Sequence, residues 1–299
     1  MGVRSNELVL PAAAQRQERT WRTRGLSFMR GFGLHTILVL GSMLFLLPFL
    51  WAVSTSLKES SDVFVFPPQF IPENPQWSNY PDALTSVPFG RYTLNTLFLA
   101  ALRIAGNILS CTLVAFAFAR LKWKGRDIVF FVVLATMMIP EEVTLIPQYI
   151  IYSKLGWVNT YLPLTVPNFF AANAFFVFLL RQFFMTIPRE LDDAARVDGA
   201  SYFQVYWRII LPLSSPALIT IGIFTFQNSW NAFFGPLIYL QDRTLYTVSL
   251  GLSLFQEQYY TNWTLLMAAS VAIMIPTLLV FFLLQRRFIE GVTFTGLKG

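Results

Sequence analysis

Arg103 stands in a stretch from about Tyr92 to Ala119 that carries no other charge. A cation at mid-helix in a bilayer costs roughly 2.5–3.5 kcal/mol on insertion scales, so such a group must face protein or a water-filled cavity. Glu141 and Glu142 follow Pro140 in a second apolar stretch, with Pro147 beyond. Prolines remove helix hydrogen bonds and bend such segments where backbone lines a cavity. Adjacent carboxylates point to different sides of a helix and make a poor acid–base pair. One could accept hydroxyl protons of a solute while the other reaches the outer interface. Asn228, Trp230 and Asn231 combine amides with an indole, which are the hydrogen-bonding groups and the flat apolar face used to hold a sugar ring. This is chemistry of recognition, not of bond breaking. Each group also has a structural reading: Arg103 can bond a neighbouring carbonyl or carboxylate, and intramembrane asparagines bond across helices. Asn107 and Gln227 are further polar groups of the same kind. With one His (His35) and one Cys (Cys111), the chain offers neither a cluster of imidazoles nor a cysteine-based metal site. No metal or cofactor is expected. No Gly-Lys pair occurs, so a P-loop is excluded and nucleotide chemistry is assigned to another subunit.

The elements that must position these groups follow from the apolar runs. Charged residues make up 13% of the 299, about half the share of a soluble domain, and the mean hydropathy is +0.53. Too little charge is present to cover a soluble surface. Long runs without Asp, Glu, Lys or Arg join Arg30 to Lys58, Lys154 to Arg181, Arg208 to Asp242 and Glu257 to Arg286, and about 20 apolar residues suffice to span a bilayer core as helix. With the two stretches above, this predicts an all-α polytopic membrane protein with helices near 32–56, 92–119, 128–151, 163–185, 213–240 and 263–285. Placing the N-terminus inside puts seventeen of the 22 Lys and Arg on the cytoplasmic side. Only Lys58, Arg91, Lys154 and Arg243 fall outside, and Arg103 within a span. The positive-inside rule therefore predicts cytoplasmic termini in the cell membrane. The net charge of +6 is accounted for by this placement, and no nucleic-acid partner is expected. Residues 1–30 are expected to form a mobile tail that sets topology or touches membrane lipid, residues 31–290 the membrane domain, and residues 291–299 a second tail. The first apolar run is too long for a signal-peptide core, and Ala12-Ala13-Ala14 precedes it. The Pro-rich segment Glu59–Tyr80 is an external loop, either a cap on the bundle or a contact for an external protein.

The richest segment lies between the fourth and fifth spans, over residues 188–216. Pro188 suits a first helical turn, and Glu190, Asp192 and Asp193 put negative charge near the positive helix end. Gly199 can adopt the left-handed conformation that ends a helix. Ser201 and Gln204 then have capping-box spacing for a second helix. Phe203, Tyr206, Trp207 and Ile210 fall on one face of that helix. They read either as an interfacial helix packed on its own bundle or as anchors for a partner protein.

Asp193-Ala194-Ala195-Arg196-Val197-Asp198-Gly199-Ala200, followed by Leu211-Pro212-Leu213-Ser214-Ser215-Pro216, resembles the EAA loop of ABC-importer permeases. The chain has Asp193 where that family usually has Glu. Asn95-Thr96, Ala119-Arg120, Met138-Ile139-Pro140, Trp230-Asn231 and the tail from Gln285 to Gly291 are similar to the carbohydrate-uptake, MalG-like branch. In many relatives an acid follows the Trp-Asn pair, where this chain has Ala232. The resemblance implies a permease subunit that translocates a sugar or related polyol, or sn-glycerol 3-phosphate, across the membrane. It implies a second, related permease, two ATP-hydrolysing subunits and an extracytoplasmic solute-binding protein. It also implies that Glu190, Asp193, Ala194, Ala195, Asp198, Gly199, Ala200 and Phe203 meet the ATPase, while Arg103, Glu141, Asn228, Trp230 and Asn231 are, from their chemistry, the candidates along the solute path. An ion-coupled carrier would show internal repeats and ionisable relays, and a membrane enzyme a convergent set of catalytic groups. The sequence presents neither.

Overall fold

The computed structural model describes residues 12–256 and 261–296; the side chains of 12–32, 141 and 286–296 lie outside that description. Helix α1 runs over Ala12–Ser56. It begins within the segment expected to be a tail, where Ala, Gln, Arg and Glu are frequent and favour helix. The chain then forms a Pro-rich cap pinned to the end of α1. Gln76 N–H donates to Leu57 O at 2.8 Å, and Asn79 Nδ2 donates to the carbonyls of Ser56 and Lys58 at 2.9 Å each. The Lys58 ammonium sits 4.5 Å over the Trp51 ring. Helix α2 (Asn79–Ser86) leads into α3 (Phe89–Arg120), the central helix of the bundle.

The third predicted span is sharply bent. Helix α4 (Arg126–Ala135) passes through a short 3₁₀ turn and stops at Ile139, and α5 (Glu141–Lys154) leaves at 99° to it. Pro140 accounts for the break, since the residue before a proline is driven out of helical conformation, and Ile139 is indeed extended. The fourth span is likewise interrupted. Helix α6 (Leu162–Thr165) and a 3₁₀ turn precede Ala171 at φ +52°. Asn173 then caps α7 (Ala174–Thr186), its Oδ1 accepting from Phe176 N–H at 3.2 Å. Helix α8 (Glu190–Val197), α9 (Tyr202–Val205), a π-helical turn (Tyr206–Ile210) and α10 (Leu211–Leu213) lead to α11 (Ser215–Trp230), which turns by 74° from the segment before it. The predicted fifth span ends at Trp230 and resumes as the separate α12 (Phe234–Tyr239). Helix α13 (Val248–Leu252) and the long α14 (Trp263–Gly296) complete the chain. The protein is all-α, and among the described residues four helical segments are long and apolar enough to cross a membrane, or up to six if each bent pair is one span.

Two apolar clusters hold the bundle. One gathers Phe116, Phe130, Phe184, Tyr206, Ile210 and Ile221, joining α3, α4, α7 and α11. The other gathers Phe89, Tyr92, Trp230, Val248, Phe255 and Leu266 at the opposite end. There a Cβ on Gly251 would come within 2.5 Å of the Tyr92 ring, so α13 can lie against α3 only with glycine at that point. Hydrogen bonds sort the loops into the same two ends. Asn95 Nδ2 donates to Thr244 O and Tyr246 O, and Asn159 N–H to Tyr239 O, at one end. Arg120 reaches Phe184, Ile187 and Asp192 at the other.

Candidate functional site

The segment between α7 and α11 is a helix–turn–helix. Helix α8 starts at Glu190, with Arg189 as its cap residue. Pro188 therefore stands just before the helix and not in its first turn, which corrects the expectation. Gly199 has φ +84°. Its N–H donates to Arg196 O at 3.0 Å and Ala200 N–H to Ala195 O at 2.9 Å, the bond pair of a Schellman C-cap. Ser201 follows with both arms of the capping box: its N–H donates to Gln204 Oε1 at 2.7 Å, and its Oγ accepts from Gln204 N–H at 3.3 Å. The Arg196 guanidinium lies 4.1 Å over the Tyr202 ring and bridges the turn. The turn between α8 and α9 is thus capped on both of its sides.

Glu190, Asp193, Ala194, Asp198 and Gly199 are exposed, while Ala195 and Ala200 are half-buried against the bundle. Asp192 is the acid of the first turn that points inward. Its Oδ2 lies 3.3 Å from Arg120 Nη1, whose side chain is 3% exposed. Arg120 Nη2 also donates to the carbonyls of Phe184 and Ile187 at 2.8 Å each. One guanidinium thereby joins the end of α3, the end of α7 and the start of α8. Burial raises the Asp192 carboxyl above its ordinary pKa, and the pull of Arg120 only partly offsets this. Sequence reading placed Asp192 in the acidic first turn and Arg120 in a motif without pairing them. The available signal was a cation at the very end of an apolar span.

The aromatic stripe divides. Tyr206 is 3% exposed and shares its hydroxyl with Thr112 Oγ1 at 2.7 Å, and Ile210 is buried beside it. Phe203 (65% exposed) and Trp207 (53%) face outward with rings stacked at 6.5 Å and 14°. The expected single face is corrected by the π turn, whose extra residue per turn rotates the side chains out of simple three-and-four register. Half of the stripe thus packs on the bundle and half is exposed.

The proposed solute-path residues differ in their exposure. Trp230 is 2% exposed, stacks on Phe226 at 5.5 Å and donates from Nε1 to Ile273 O at 3.1 Å. Its ring face is taken up by the bundle, in line with the structural alternative for this group. Asn228 and Asn231 are exposed at the end of α11. Arg103 is half-buried on α3, and the side chain of Glu141 lies outside the described residues. Asn107 forms the buried interhelical bond, donating from Nδ2 to Thr225 Oγ1 at 3.2 Å across α3 and α11. Among the described residues no group of three or more His, Cys, Asp or Glu could hold a metal ion.

Comparison with known proteins places this architecture. Residues 111–293 match the family described as binding-protein-dependent transport system inner membrane component. A probable ABC transporter permease protein of Bacillus subtilis, YurM, is 32% identical over 256 residues, covering 84% of this chain and 83% of that protein. The sn-glycerol-3-phosphate transport system permease protein UgpE of Pectobacterium atrosepticum is 33% identical over 266 residues, covering 86% and 94%. The arabinooligosaccharides transport system permease protein AraQ of Halalkalibacterium halodurans is 36% identical over 205 residues, covering 69% and 73%. Among solved structures, a bacterial ABC transporter involved in import of the acidic polysaccharide alginate has a chain superposing with TM-score 0.75 at 25% identity, covering 87% of this chain and 97% of that one.

Proposed function

From the premise that the chain belongs to the family of binding-protein-dependent transport system inner membrane components, the permeases of ABC importers, we propose that it carries a sugar or related polyol inward. In this reading it pairs with a second, related permease. Two ATP-hydrolysing subunits dock on the helix–turn–helix from the cytoplasm, and an external binding protein delivers the solute. The observation that carries the proposal is the coupling geometry. An exposed acidic turn (Glu190, Asp193) and an exposed stacked pair (Phe203, Trp207) are held on a fully capped turn. That turn is tied to the transmembrane helices through Arg120 and Asp192. A push on α8 is then delivered to α3 and α7 together. Large aromatic side chains surrounded by polar rim are what a partner groove uses as anchors, and the acids offer charge to it.

The sugar class is supported by a relative named for arabinooligosaccharides transport, and a relative named for sn-glycerol-3-phosphate transport supports a second reading. Arg103 within α3 favours keeping a phosphate-bearing solute as the second reading. The test is a reconstituted transporter with single cysteines at the exposed Ala194 or Asp198 and on the ATPase groove. Cross-links that form and change with nucleotide are expected, together with solute uptake that depends on the binding protein. Cross-links absent in every nucleotide state would overturn the docking assignment. Uptake unaffected by Arg103→Gln for every phosphate-bearing solute tried would remove the second reading.

A further inference from the structure

At the same end of the bundle as α8, a cavity of about 530 Å³ opens between the α3–α4 link and the start of the helix–turn–helix. Lys122, Arg126 and Arg189 line it, together with Trp123, Asp127 and Ile128. Its one carboxylate is already engaged. Asp127 accepts from Arg126 Nε at 3.0 Å and Nη2 at 3.3 Å, and reaches Arg181 at 3.9 Å. Lys122 and Arg189 form no salt bridge among the described residues. The lining therefore keeps excess positive charge, reinforced by the positive end of α4.

What adjoins the cavity identifies the ligand. Ile128 lines it, and Phe131 and Val132, one turn further along the same face of α4, are exposed. Trp123 packs beside Phe118 at 5.8 Å and is itself exposed, as an interfacial aromatic would be. A cationic cavity opening onto an apolar helix face fits an amphiphile with an anionic head. We propose that it binds the phosphate headgroup of an anionic phospholipid, whose acyl chains lie along α4. An ATPase contact is disfavoured by charge: a groove suited to the exposed acids Glu190 and Asp193 of α8 would itself be basic and would repel Lys122 and Arg189. The lipid would hold the α3–α4 link against the start of α8 at the membrane surface.

The test uses the assembled transporter in nanodiscs of phosphatidylcholine with or without phosphatidylglycerol, with retained lipid counted by native mass spectrometry. Phosphatidylglycerol should be retained in preference to phosphatidylcholine. Lys122→Gln and Arg189→Gln should each lower that retention about fivefold, the usual worth of one cation at an anionic surface. Asp127→Asn, which removes the competing carboxylate, should raise it, and this variant serves if the others assemble poorly. Arg243→Gln, at the opposite end of the bundle, should leave it unchanged. Equal retention of the two lipids, or retention unaffected by these variants, would overturn the proposal. So would inorganic phosphate displacing the lipid while binding equally well in lipid-free detergent. If the Gln variants shed the ATPase subunit while keeping phosphatidylglycerol, the cavity is a protein contact instead.

Discussion

Arg120 shows how much can depend on one side chain. It makes two bonds to carbonyls and one to a carboxylate from a site that is almost dry. Removing one partner of a buried pair leaves the other charge uncompensated, at a cost of about 3 kcal/mol. Arg120→Ala should therefore lower thermal stability by that order. Arg120→Lys should fail to restore coupling, because an ammonium cannot match the planar fork that serves three acceptors. The measurement is uptake and solute-stimulated ATP hydrolysis in the assembled complex. Wild-type behaviour of the Arg120→Lys variant in both assays would mean the contact is only a charge. Gly199 gives the second residue-scale prediction. A Cβ there would meet nothing within 4 Å, yet φ is +84°. The penalty is thus purely conformational, roughly 1–2 kcal/mol for an L-residue in that region. Gly199→Val should destabilise by about that amount, whereas Gly199→Asn, which tolerates positive φ, should keep most of the stability. Equal melting temperatures for the two variants would contradict the strain argument.

At the scale of elements, the run from α9 through the π turn has an inner and an outer side, and their variants should fail differently. Tyr206→Phe loses the buried bond to Thr112, about 1 kcal/mol of stability, with the outer surface unchanged. Trp207→Ala strips an exposed ring and should leave melting nearly unaltered while weakening ATPase binding by about 2 kcal/mol if it is an interface anchor. Pull-down and thermal melts on both variants separate the cases, and Trp207→Ala binding ATPase normally would remove the anchor role. What the sequence disclosed here follows a physical rule. The Gly199 turn and the Ser201–Gln204 box are local, so spacing alone revealed them. Which of Phe203, Tyr206 and Trp207 turns inward depends on a π turn and on α3 and α7 lying nearby, which no local pattern encodes. Trp230 illustrates the same limit, since its partner Ile273 is 43 residues away. Pro140 marks a bend in the sequence, but a proline alone does not specify the 99° angle found there.

For the whole molecule, two independent orderings agree. Hydrogen bonds group the α3–α4 link, the end of α7 and the helix–turn–helix at one end, and the α1–α3 cap with the loops near Asn159 and Thr244 at the other. The distribution of Lys and Arg along the sequence divides the same segments in the same way, with the basic set on the side of the helix–turn–helix. Cations are retained on the cytoplasmic face, so the coupling segment should lie where ATP is. The chain is well suited to a direct test, because its single cysteine, Cys111, is fully buried and should not react with an aqueous reagent. Val197→Cys, on exposed α8, should label with a membrane-impermeant maleimide only in inverted vesicles. Asn74→Cys, in the Pro-rich cap, should label only in right-side-out ones. Neither substitution touches a core position, so loss of fold should not confuse the result. The reverse pattern would put the helix–turn–helix outside the cell, where no ATP-hydrolysing partner could reach it, and the coupling proposal would fall together with the orientation.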